Sequence, residues 1–278
     1  MKKIVLSLAV LAGLGLSACA PVSQVKQPEP TVIPAKDLNW IADKVFKNET
    51  SGNPALLVVW NDREEFASLG IGHFIWYPEG RRGPYTETFP GLLDYAKSHA
   101  IPLPQWLQNR TLRGAPWPNK DAFQRAQNDP EMNQLRNFLQ QTMNIQANYM
   151  SERLTRALPM MLNQLTPRDR ERALRNYQAV EKSPRGLYPL LDYVNFKGEG
   201  TSPTERYNGQ GWGLLQVLLA MNPVEAGPQA LAEFARAAEE VLTRRIANAP
   251  PERDEAKWLP GWRNRLGTYQ PQSLLAGY

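Results

Sequence analysis

Apolar residues recur at helical spacing along most of the chain, and strand-like patterning is confined to one region near its start. This pattern predicts a mainly α (α+β) fold with a small antiparallel β-hairpin. Trp40, Ile41, Val45 and Phe46 share one helical face, so a short helix carries Glu49 in its last turn, and Ser51, Gly52, Asn53 and Pro54 stop it. Residues 56–60 read as a strand, Asn61 and Asp62 as a turn, and residues 67–76 as the returning strand. Gly70 and Gly72 leave alternate positions of that second strand bare, which predicts close approach by another backbone or a sugar ring.

Beyond the hairpin, residues 79–118 combine prolines with aromatic rings and read as a long surface segment with short helices at 92–96 and 105–108. Rings in such a segment are either sugar-stacking platforms or pins that hold a loop down. A helix is predicted from Asp129, with Leu135, Phe138, Leu139, Met143, Tyr149, Met150, Leu154 and Leu158 on one face and Pro159 interrupting it. Thr166 and Asp169 form a capping-box pattern for the next helix, and a further one spans 187–196 and ends at Gly198, Glu199 and Gly200. The glycine-rich loop 198–212 opens into an apolar helix at Gly213, which places Tyr207, Gln210 and Gln216 at the lip of a cleft. Gln216 has a plainer alternative use, satisfying buried backbone groups. An amphipathic helix over 228–246 is followed by Trp258, Trp262, Leu266 and Tyr269, a tail expected to pack around the core.

The amino terminus reads as an address. Lys2 and Lys3 precede an apolar run too short for a permanent span, ending in Leu16-Ser17-Ala18-Cys19, which matches the bacterial lipobox. Residues 1–18 are therefore expected to be a signal peptide and Cys19 a lipidated first residue; Ala20 after it predicts an outer-membrane lipoprotein on the periplasmic face. Residues 19–35 are a proline-rich tether, and 36–278 form the remaining domain. Cys19 is the single cysteine, so the chain forms no internal disulfide. Loss of Lys2 and Lys3 takes the formal charge from +5 to +3, a mild bias that suits an anionic polymer and gives no ground for nucleic acid. With His73 and His99 the only histidines and no ligand-spaced cluster, neither metal nor cofactor is expected.

Glu49, the acidic turn and Ser68-Leu69-Gly70-Ile71-Gly72-His73 together resemble the phage-type lysozymes of the lysozyme-like superfamily, with Ser68 where that family has Thr and a longer gap from Glu49 to Asp62. Residues 49–54 are similar to the E-S-x-x-N-P opening of lytic transglycosylases, Gly213-Leu214-Leu215-Gln216 to their G-L-M-Q motif, and residues 207–216 to a run in plant-type chitinases. The resemblance implies a helical core with a hairpin beside a catalytic cleft. It also implies cleavage of β-1,4 glycosidic bonds in peptidoglycan strands, Glu49 acting as acid and base, Asp62 and Ser68 assisting, and His73, Trp76, Tyr207, Gln210 and Gln216 near substrate.

The residues themselves support an acid at this point, since burial beside Val45 and Phe46 disfavours a charged carboxylate. Asp62, Glu64 and Glu65 are the candidates for a second carboxylate, with Glu199 and Glu205 as groups across the cleft. A second acid roughly 6.5–9.5 Å away predicts inverting hydrolysis. Without one, a lytic transglycosylase is expected, and the lipid anchor and the motif echoes at Asn53-Pro54 and 213–216 favour that form slightly. The competing expectation is a periplasmic lipoprotein that binds cell-wall glycan or a scaffold partner without turnover.

Overall fold

The computed structural model describes residues 33–110 and 112–276; Cys19, the signal peptide and most of the tether lie outside them. The fold is helical with one small sheet, as the apolar periodicity requires. Helix α1 (Ala35–Thr50) buries Ile41, Ala42, Val45 and Phe46 and ends where Ser51 turns left-handed (φ 51°) and donates its N–H to the Lys47 carbonyl. A single 3₁₀ turn (Pro54–Leu57), capped by the Asn53 side chain, leads into β1 (Val58–Val59).

The sheet corrects the hairpin reading. Residues 67–76 do not form one strand but two, β2 (Ala67–Leu69) and β3 (Phe74–Trp76), so the sheet is a three-stranded antiparallel meander in the order β1-β2-β3. Leu69 pairs with Phe74, and the residues between them reverse the chain. Gly70 (φ 68°) and His73 (φ 43°) supply the left-handed backbone that this tight turn needs. Gly70 makes no opening for a sugar: a Cβ there would lie 2.2 Å from the Gln146 side chain, which fills the space. A Cβ on Gly72 would strike the Phe74 ring.

The remaining elements are α2 (Phe89–Ser98), α3 (Lys120–Arg125), α4 (Pro130–Gln141), α5 (Met143–Asn163), α6 (Pro167–Glu181), α7 (Leu187–Lys197), α8 (Leu214–Ala220), α9 (Pro228–Asn248), α10 (Leu259–Gly267) and α11 (Pro271–Leu275). The helix expected from Asp129 is divided at Thr142, whose hydroxyl caps back onto the Phe138 carbonyl. Pro159, by contrast, sits inside α5 without ending it. Its missing N–H removes one helical bond, and the packing of both flanks holds the helix on course. Thr166 caps α6 as its sequence predicts, accepting the Asp169 N–H at 3.2 Å. Helix α1 packs along α5, and α8 lies between α6 and α9. One apolar core runs from Ile41 to Leu274. In the 79–118 segment, Trp106 and Trp117 pack on Trp76 at ring separations of 6.3 and 5.8 Å, so these rings pin the loop to the core. No helix among the described residues is long and apolar enough to cross a membrane.

Candidate active site

The site begins with a polar cluster where α1, α7 and α10 meet. Asp192, on the largely apolar α7, is fully buried. It accepts two bonds from the Arg265 guanidinium, each 2.8 Å, one from the Tyr269 hydroxyl at 2.6 Å and one from the Asn48 amide at 3.1 Å. A buried carboxylate is tolerable only with such partners. Arg265 also bonds Oε1 of Glu49, which takes a second bond of 2.8 Å from the Asn195 amide. Oε2 of Glu49 lies 3.4 Å from Nε2 of His73, and only 8% of the Glu49 side chain is exposed. Burial opposes the charge on Arg265, but the facing carboxylates of Asp192 and Glu49 outweigh it and hold its proton firmly.

Glu49 therefore differs from the sequence expectation in one respect. It is buried, but beside a guanidinium and an amide as well as an apolar wall. Arg265 and Asn195 were not anticipated. The signal was present: Arg265 follows Trp262 by three positions, so it shares the buried face of its helix, and Asp192 and Asn195 interrupt the apolar run of α7.

A cleft lies against the sheet, and Glu49 sits behind its lining. One lobe, of about 540 Å³, is lined by Asn61, Glu64, Ser68, His73, Tyr77 and Tyr85 among others. A second, of about 270 Å³, runs on past His73, Ile75 and Tyr85 to Arg153, Asn195 and Glu199. Two cleft residues touch Glu49: His73, which lines both lobes, and Asn195, which lines the second. The His73 backbone is fixed from below, because fully buried Gln146 accepts the Ile71 N–H at 2.9 Å and donates to the Leu139 carbonyl at 2.6 Å.

Three carboxyls line the cleft, Glu64, Glu65 and Glu199, and of these Glu65 is exposed. Glu64 accepts from Asn61 at 2.9 Å and from the Ser68 hydroxyl at 3.3 Å, while Trp60 holds its carbonyl. Glu199 lies in the second lobe, where burial pushes its carboxyl above the usual range and Arg153 only partly opposes this. Its loop is built by Gln216, which accepts the Gly213 N–H at 2.9 Å and donates to the Gly200 carbonyl at 3.0 Å. The plainer use of Gln216 is thus the one the structure displays.

Several expected positions are corrected. Asp62 is fully exposed, and its bond and charge attraction to Lys120 hold its carboxyl below the usual range, outside the cleft. Ser68 accordingly partners Glu64 instead. Trp76 is completely buried against Phe89 and offers no face to a substrate. Tyr207 donates to Glu255 at 2.8 Å and stacks near Trp212; Gln210 is exposed and pairs with Tyr207 through the backbone; neither lines the two lobes. Glu205 is exposed. His73 alone of the expected substrate-binding residues is placed in the cleft. Compared with protein-family models, with curated proteins and with solved structures, the chain matches none.

Proposed function

We propose that this protein cleaves β-1,4 glycosidic bonds in the glycan strands of peptidoglycan, with Glu49 as the central carboxylate and Glu199 as the proton donor. The observation that carries this reading is a pair of unlike acids: Glu199 lines the second lobe with its proton affinity raised by burial, and Glu49 is bound by Arg265 and by Asn195, a residue of that same lobe. Unlike environments for two acids are what divide acid from base in glycoside cleavage. Glu199 gives its proton to the departing glycosidic oxygen. The Glu49 carboxylate, reached between His73 and Asn195, supports the positive charge that builds on the sugar ring. Water then adds at the anomeric carbon and gives its proton back to the Glu199 carboxylate, or the sugar's own hydroxyl does so as it closes an anhydro ring. The presence of a second cleft acid favours hydrolysis over the ring-closing form.

Incubation with peptidoglycan sacculi and analysis of the released fragments tests this. Wild-type protein is expected to release reducing-end fragments, at a rate that falls as pH rises through the elevated titration of Glu199, and Glu49→Gln or Glu199→Gln to lower it by about 100-fold or more. Anhydro ends would assign the ring-closing reaction instead. A second reading, a glycan-binding lipoprotein without turnover, is favoured by the bonds from Arg265 and Asn195 to Glu49 Oε1. Binding to sacculi with no release by any version selects it.

A further inference from the structure

Beside the first lobe of the cleft lies another cavity, of about 550 Å³, lined by Arg81, Arg82 and Arg113 together with Tyr77, Tyr85 and Leu112. Two loop segments build it. Pro78 bridges to Ala115, with the Ala115 N–H donating to the Tyr77 carbonyl at 2.8 Å and the Glu79 N–H to the Ala115 carbonyl at 3.0 Å. Gly114 makes this crossing possible: its φ is +82°, and a Cβ would stand 2.9 Å from the Tyr77 carbonyl. The other segment is tied by the Tyr85 N–H, which donates to the Tyr77 hydroxyl at 3.2 Å. The arginines are thus carried on a clamped frame.

None of the three has an ion-pair partner among the described residues, although neighbouring Arg110 pairs with Glu79 at 3.0 Å. Glu87, the acid that shares the cavity, spends an oxygen on the Tyr77 N–H at 2.8 Å. Three guanidinium groups around one hollow repel one another, and their planar forks match carboxylates in bidentate fashion. Tyr77 and Tyr85 line both this cavity and the first lobe, so a strand in the cleft passes beside it.

We infer that this arginine-lined cavity binds the carboxylates of the peptide stems that project from a peptidoglycan strand lying in the cleft. The inference rests on the glycan reading above and extends it: the protein takes strands that still bear peptides in preference to bare glycan. Exposed charges of this kind act at short range and are screened by salt, so the preference weakens as ionic strength rises.

The test measures binding of the full chain to soluble glycan strands with intact stems and to the same strands stripped by an amidase. Wild-type protein is expected to prefer the stem-bearing strands by about tenfold. The triple variant Arg81→Gln, Arg82→Gln, Arg113→Gln is expected to lose that preference, with affinity for stripped strands unchanged. A charge-matched control, Arg168→Gln and Arg175→Gln on α6 with Lys182→Gln just after it, is expected to keep it. Equal wild-type affinity for both strands overturns the inference, and so does an equal loss in the two triple variants, which is bulk charge alone. Free stem peptide separates the two readings. If it binds wild type but not the cavity variant while stripped strands bind neither, the cavity stands and the glycan reading falls.

Discussion

Arg265 holds two acids at once. Its guanidinium spans Asp192 and Glu49, three side chains that are 11%, 0% and 8% exposed. The desolvation of such a group is repaid only while every charge is matched, so removing the cation costs more than the bonds it makes. Arg265→Ala leaves two buried carboxylates facing each other, and a loss of about 3–5 kcal/mol in unfolding free energy is expected from urea titration. Arg265→Lys retains the charge but not the fork that bonds both Asp192 oxygens, so it is expected to recover only part. A loss below about 1 kcal/mol for the alanine variant would mean that the cluster is loosely held and Glu49 is not fixed by it. Glu49 and its helix end were legible in the sequence because helix periodicity and a Ser-Gly stop are local signals. Its cation was not, because Arg265 lies 216 positions away and only the folded chain brings α10 to α1.

At the scale of elements, the joint between α7 and α8 sets where Glu199 points. Gly198 (φ 80°) and Gly200 (φ 85°) bracket it, and a Cβ on Gly200 would lie 2.1 Å from the Gln216 oxygen that holds Gly213. Gly200→Ala therefore meets both a backbone penalty and a clash, and a destabilisation of about 1–3 kcal/mol is expected from thermal unfolding, together with a fall in sacculus cleavage larger than the loss of folded protein explains. Unchanged cleavage in a destabilised variant would separate this joint from the site. The glycine-rich loop and the helix start at Gly213 were legible, since both are written in short runs. The lip residues were not, because a loop's direction depends on what it packs against: Tyr207 is turned away by Glu255, and Trp76 is drawn inward by Phe89, Trp106 and Trp117. The sheet failed for a different reason, since a left-handed histidine at position 73 is not what its neighbours in sequence announce.

For the whole molecule, the tail decides more than its composition implies. Helix α10 buries Trp262 and Leu266 against the core, as the apolar spacing predicted, and on the same face it carries Arg265 to Glu49. It also closes over Lys197, whose ammonium lies 3.8 Å from the Trp262 ring centre and 4.0 Å from that of Phe196. Burial lowers the Lys197 amine to about 7; Arg245 and Arg265 push the same way, while Glu255 and Glu49 oppose them. The folded chain thus releases this proton near pH 7, whereas the unfolded chain keeps it to about 10.4. Between those limits the unfolded state binds more protons, so this group makes stability rise with pH, and its full penalty is present below 7. Lys197→Met retains the buried stem and removes the charge. The variant is expected to raise the thermal midpoint at pH 6 and to raise it less at pH 9, where the folded amine is already neutral and part of the penalty has gone. The two ring contacts favour the charged form and limit the gain. An equal effect at both pH values would show that these rings, and not the loss of water, govern the lysine, and α10 would then be held to the core partly by the cation it covers.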